Sequence, residues 1–90
     1  MNPAQIRSLR RALRLNQAEF GQLLGAHPVT VSRWETPRSR YTPSAYQCAL
    51  MRDFEKAAGA QEMDQTLKNL LVGAGIAAAI YFLLNAARGG

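Results

Sequence analysis

Apolar side chains recur at helical intervals through residues 1–60 and are cut into short runs by cap and stop residues. Ile6, Leu9 and Leu13 fall three and four residues apart, with Arg7, Arg10, Arg11 and Arg14 between them, so the pattern predicts a helix over 3–14 with one face inward and the other basic. Asn2, Pro3 and Gln5 supply its cap, its first helical position and a capping box. Asn16 with Glu19 repeats the box and opens a second helix, which Gly25 closes. That helix is too short to be stable alone, so packing must hold it. Pro28 is pre-shaped for the start of a third helix ending before Pro37. Thr42 and Pro43 signal a fourth, which carries Tyr46, Leu50, Phe54 and Ala57 along one side to about Ala58, with Gly59 as its stop. No alternating polar and apolar run of useful length and no internal repeat interrupts this pattern, and the chain reads as all-α.

The carboxyl end has a different texture. Asp64 or Gln65 starts a last predicted helix running to Ala87, and from Leu70 to Leu84 it carries 15 apolar or small residues without a polar face. At a rise of about 1.5 Å per residue that run spans about 22 Å, against about 30 Å for a bilayer core. The expectation is that a soluble monomer of this size does not bury such a helix and that a partner surface or lipid covers it. Gly73 with Ala77 and Gly75 with Ala79 form two small-xxx-small pairs that permit close helix approach, hence dimerisation in either medium. The domain division expected is therefore 1–59 for the helical head and 60–90 for an apolar segment that serves as membrane anchor or dimerisation helix, with a membrane contact drawn through 67–87.

Charge sharpens the contrast between the two parts. Residues 1–47 hold seven arginines against Glu19 and Glu35, a net +5, whereas residues 48–90 hold four cations against four acids. All the excess is arginine, whose planar donor fork suits phosphates and guanine edges. A polyanionic partner is expected, nucleic acid ahead of lipid headgroups. The single cysteine, Cys48, cannot make an intramolecular disulfide, and with the single His27 it cannot furnish the four ligands of a zinc site. No secretory signal pattern is visible at the amino end, which favours the cytoplasm, tethered or not to the inner face of the cell membrane.

The informative stretch is QAEFGQLLGAHPVTVSRWE at Gln17–Glu35. Two short helices cross steeply only if the residue at closest approach is small and the turn admits a positive φ; Gly21 meets the first demand and Gly25 the second. Phe20, Leu24, Ala26, Val31 and Trp34 are then spaced to pack the pair onto the first helix. With LNQAEF at Leu15–Phe20, LLG at Leu23–Gly25 and VTVSRWE at Val29–Glu35, the chain from about Ile6 to Ala58 resembles the lambda-repressor-like, Cro-type (XRE) helix-turn-helix family. The arginine-rich loop and the fourth helix at Arg38–Leu50 are similar to its short antitoxin-type regulators. The resemblance implies a bundle of about four helices that binds double-stranded DNA as a homodimer and regulates transcription. It does not extend to the apolar tail. His27 stands where the family usually has serine or threonine as a cap, and Thr36 and Pro37 replace a common glycine, which implies a different loop path.

With Val31 and Trp34 inward, Pro28, Val29, Ser32 and Arg33 face outward and are the expected base-reading residues. Arg33 is suited to bidentate bonds with guanine, Val29 and Pro28 to apolar contact with a thymine methyl, and Ser32 to a less selective hydrogen bond. An alternative for Arg33 is a surface pair with Glu35 or Glu19. Gln17, Thr30, Arg38, Arg40 and Tyr41 lie at the periphery and are expected on phosphates, Gln17 as the resemblance implies; Arg10 and Arg14 are further candidates. His27 is expected to be an ordinary surface side chain. No grouping of nucleophile, base and orienting residue is apparent, and neither an enzyme, a cofactor nor a metal is expected. The alternative function is a membrane-anchored interaction protein using the helical pair as an adapter.

Overall fold

The computed structural model of the protein describes residues 1–61 and 63–89. Six α-helices follow one another: α1 (Pro3–Ala12), α2 (Gln17–Leu24), α3 (Pro28–Trp34), α4 (Ala45–Ala60), α5 (Thr66–Gly73) and α6 (Ile76–Ala87). The described residues contain no strand, as the apolar spacing predicts.

Local chemistry sets most of the starts. At α1 the Gln5 N–H donates to Asn2 Oδ1 at 2.8 Å and the Asn2 N–H donates to Gln5 Oε1 at 2.9 Å, with Pro3 supplying a preset φ. Asn16 and Glu19 form the same reciprocal pair at α2, at 2.8 and 2.9 Å. At α4 the signal lies elsewhere than expected. The helix opens on Ser44, whose hydroxyl accepts from the Gln47 N–H at 3.1 Å while Gln47 Oε1 accepts from the Ser44 N–H. This two-bond box outcompetes Thr42–Pro43, which has no matching acceptor three residues on. Nor does Gly59 stop α4, which runs to Ala60; a glycine without a positive φ costs a helix only about 1 kcal/mol, and Ala57 one turn earlier is fully buried. The boundary expected after Gly59 thus falls within a helix.

The largest correction concerns the apolar end. The single helix expected through 64–87 is two helices, broken at Ala74 and Gly75. Gly75 has φ +103, open to glycine and strained for other residues, and the N–H groups of Ala74 and Gly75 both donate to Leu70 O, at 2.8 and 2.9 Å. The break lets α6 fold back on the chain's own core. Leu67, Leu71, Ala79, Leu83 and Ala86 join Ile6, Leu13, Phe20, Val31, Met51 and Phe54 in one continuous apolar cluster. The partner surface thought to be missing is therefore supplied chiefly by α4. The small-residue pairs straddle the break: Gly73 and Ala77 are exposed, Gly75 makes the turn, and Ala79 is fully buried against the same chain. They form no common stripe on one helix. Among the described residues no helix is long and apolar enough to cross a membrane. The radius of gyration is 12.2 Å, close to the roughly 12 Å that scaling gives for a single packed domain of this length, so α5 and α6 are integral to the bundle.

Two polar ties fix this end to the head. Arg14, which ends the α1 region with φ +59, donates from Nε to the Met63 carbonyl at 2.6 Å, and Lys68 Nζ lies 3.6 Å from Glu19 Oε2. If this packing is integral, a chain ending after Ala60 should not fold. It loses four large buried side chains, Met63, Leu67, Leu71 and Leu83, each worth about 1.5–3 kcal/mol, a total comparable to the stability of a whole domain. Far-UV circular dichroism and urea titration of the shortened chain should show no cooperative transition; a midpoint equal to that of the full chain would make the tail dispensable.

Candidate nucleic-acid interface

The α2–α3 pair is built around two glycines with different duties. Gly25 takes φ +66 at the end of α2 and turns the chain. Gly21 is fully inside the angle: a Cβ there would fall on the carbonyl oxygen of Ala26 and within 3.3 Å of Val31 Cγ2. The Ala26 N–H donates to Gly21 O at 2.8 Å, closing the turn. His27, expected as a plain surface residue, caps α3, its Nδ1 accepting from the Val29 N–H at 3.1 Å. The ring nitrogen thus takes the place that a serine or threonine oxygen holds at other caps.

From that start, α3 divides as its spacing predicts. Val31 and Trp34 are buried, whereas Val29, Ser32 and Arg33 lie exposed on the other side and Pro28 and Thr30 are half-buried beside them. Arg38, Arg40 and Tyr41 are exposed on the loop that follows. This loop is pinned to α3, since Thr36 Oγ1 donates to Ser32 O at 2.9 Å and the Ser39 N–H donates to Thr36 O at 3.0 Å. The structure therefore gathers the expected base-reading set and the loop candidates around one helix. Gln17 opens α2 as expected, but its side-chain amide is turned inward.

The residue that sequence reasoning misplaced is Glu35. Offered by the sequence only as an alternative surface partner for Arg33, it is 2% exposed. Arg10 grips its carboxylate bidentately, Nε to Oε2 at 2.7 Å and a terminal nitrogen to Oε1 at 3.0 Å. Gln17 Nε2 donates to Oε1 at 3.3 Å, and Arg7 adds its charge at 3.6 Å. Burial pushes the Glu35 carboxyl upward, but the hydrogen bonds from Arg10 and Gln17 and the charges of Arg10 and Arg7 outweigh it and hold the group below the ordinary range. Arg10 is thereby turned into the interior, and Arg14 commits its Nε–H to the Met63 carbonyl. Arg33 is not paired with Glu35 or Glu19; its guanidinium carbon lies 4.5 Å from the centroid of the Tyr41 ring. A separation of 25 residues hides the Arg10–Glu35 pair from local pattern, and Trp34 directly before Glu35 is the sole hint that the helix end is buried.

Among the described residues no cluster of histidine, cysteine, aspartate or glutamate could hold a metal. The open groove between α1 and α4, lined in part by Ser8, Leu9, Glu55 and Ala58, includes no residue of α3. The α3 face is a projecting surface with donors at its edge. Comparison with known proteins finds no family model, no curated relative and no solved structure that matches the chain. What the fold defines by itself is a small all-α helical bundle.

Two variants test this construction. Gly21→Ala should destabilise by about 1–3 kcal/mol or more, because the Ala26 carbonyl is backbone and cannot step aside; a urea midpoint equal to wild type would deny the close approach. Arg10→Ala should cost up to about 3–5 kcal/mol by leaving the buried carboxylate with only the Gln17 amide and the more distant Arg7. The pH dependence has a definite sign. Because the folded pKa of Glu35 lies below its ordinary value of 4.5, the stabilisation is present above that value and is lost as pH falls through the folded one. Glu35→Gln should flatten stability against pH in that acid window, and an unchanged slope would show that Glu35 is not the titrating group.

Proposed function

We propose that the protein is a sequence-specific double-stranded-DNA-binding regulator acting as a homodimer, each copy laying α3 in the major groove at half-sites about 34 Å apart. The observation that carries this reading is the division of α3: Val31 and Trp34 are locked in the core while Val29, Ser32 and Arg33 project together. The resemblance of residues 6–58 to Cro-type regulators supports the same assignment. Arg33 reads guanine, Val29 and Pro28 meet thymine methyl groups, and Ser32 contributes a hydrogen bond. Thr30, Arg38 and Arg40 flank this face and contact phosphates, while Gln17, its amide turned onto Glu35, drops out of that set. The apolar Val72, Ile76 and Tyr81, left exposed by α5 and α6, are the surface offered to the second copy, since a two-fold operator calls for a self-complementary protein contact.

Selection of bound duplexes from random DNA with the full chain tests the reading. It should return a palindromic site, and affinity should fall with salt at a logarithmic slope near −4 if Arg38 and Arg40 of both copies neutralise phosphates. Arg33→Ala should relax one base pair per half-site, whereas Arg38→Ala should weaken all sequences alike and reduce the slope by about 2. Salt-insensitive binding, or an unchanged preference in the Arg33 variant, would overturn the assignment.

A further inference from the structure

Tyr41 was expected among the phosphate contacts, and its surroundings suit a different task. The residue is 55% exposed, so the core does not need it, yet its ring centroid lies 4.5 Å from the Arg33 guanidinium carbon. A closed circuit of bonds holds it there. Starting from α3, Ser32 O accepts from Thr36 Oγ1 at 2.9 Å, Thr36 O accepts from the Ser39 N–H at 3.0 Å, and Ser39 Oγ accepts from the Tyr41 N–H at 3.1 Å. The ring then meets Arg33, the neighbour of Ser32 where the circuit began. The loop after α3 is thus tied to the helix at both ends of this path.

We infer that Tyr41 is a positioning residue for base readout, its ring seating the Arg33 guanidinium so that the donor edge is presented to guanine. The inference rests on the DNA reading proposed above. A guanidinium interacts with an aromatic ring through its flat face, whereas bidentate hydrogen bonds to guanine O6 and N7 leave from its edge, so the two contacts coexist. Seating the cation beforehand removes rotamer freedom that a bare arginine would lose on binding. Among the described residues no carboxylate pairs with Arg33; Glu35 is committed to Arg10, and Glu19 to Lys68 and the α2 cap. The work is done by the ring face; the phenol hydroxyl is not required.

The full chain and its Tyr41→Phe, Tyr41→Ala and Ser39→Ala variants are compared on the selected duplex and on a duplex with the Arg33-read guanine replaced. Wild type and Tyr41→Phe should share a guanine preference of about tenfold or more. Tyr41→Ala should lose most of that preference while binding the replaced duplex as wild type does, and Ser39→Ala should fall between. Without DNA, the Arg33 side-chain protons should show ring-current shifts in wild type and Tyr41→Phe and lose them in Tyr41→Ala. A full guanine preference in Tyr41→Ala overturns the inference. So does an equal loss on both duplexes, or a Tyr41→Phe variant as impaired as Tyr41→Ala, either of which marks Tyr41 as a phosphate contact. Ring-current shifts with no duplex preference in wild type would remove the DNA reading and the positioning role with it, whereas a failed Tyr41 comparison alone leaves that reading standing.

Discussion

Glu35 sits where α1, α2 and α3 meet, and its carboxylate accepts from side chains of the first two while its own backbone closes the third. Burying a charge is unfavourable unless every lone pair is answered, and a well-packed apolar replacement is often as stable as a buried ion pair. Here the answer is complete, since no buried side-chain nitrogen or oxygen lacks a partner among the described residues. What the pair adds is angle. Val31 and Trp34 could sink into an apolar surface at several rotations of a seven-residue helix, but a two-point fork from Arg10 admits essentially one. The side of α3 that faces outward is therefore set by a contact on its inner end.

The rest of the bundle makes that contact possible by keeping it dry. Fully buried Phe20 and Val31 belong to the same cluster as Phe54 and Met51 of α4, and Met63, Leu67, Leu71, Ala79, Leu83 and Ala86 complete it. A head of some sixty residues buries a smaller share of its surface than a chain of ninety. The apolar tail thus makes up for the small size of the head, and the turn at Gly75 is what converts a run without a polar face into two helices with distinct inner sides.

The features legible in the sequence were those decided within a few residues. The Asn2–Gln5 and Asn16–Glu19 boxes, the positive φ of Gly25 and the inward spacing of Val31 and Trp34 each follow from local chemistry. Where two local signals competed, as Thr42–Pro43 against Ser44–Gln47, spacing alone did not rank them; reciprocal hydrogen bonding did. The break at Gly75 was invisible because a glycine among alanines and leucines reads equally as helix interior or as turn until the surface it must meet is known. Most of the outward residues of the candidate site were legible, but their supports were not. Arg10–Glu35 and Arg14–Met63 join segments far apart in sequence, and the seat of Arg33 on Tyr41 depends on a loop path that no periodicity encodes.

These long-range contacts also redistribute the charge. Composition places seven arginines in residues 1–47, and all of them act at a distance, but only those whose donors are not already engaged can bond a partner directly. Arg10 and Arg7 converge on Glu35, and Arg14 is drawn to a backbone carbonyl of the loop before α5. Among the described residues no ion pair engages Arg11, Arg33, Arg38 or Arg40, and three of these four belong to α3 and its loop. Glu35 thus cancels one charge of α1 and occupies donors of two of its arginines, whereas Arg33, Arg38 and Arg40 have no carboxylate partner among the described residues. A net +5 attracts a polyanion at long range, and donors left unpaired on one helix and its loop favour that face for close contact.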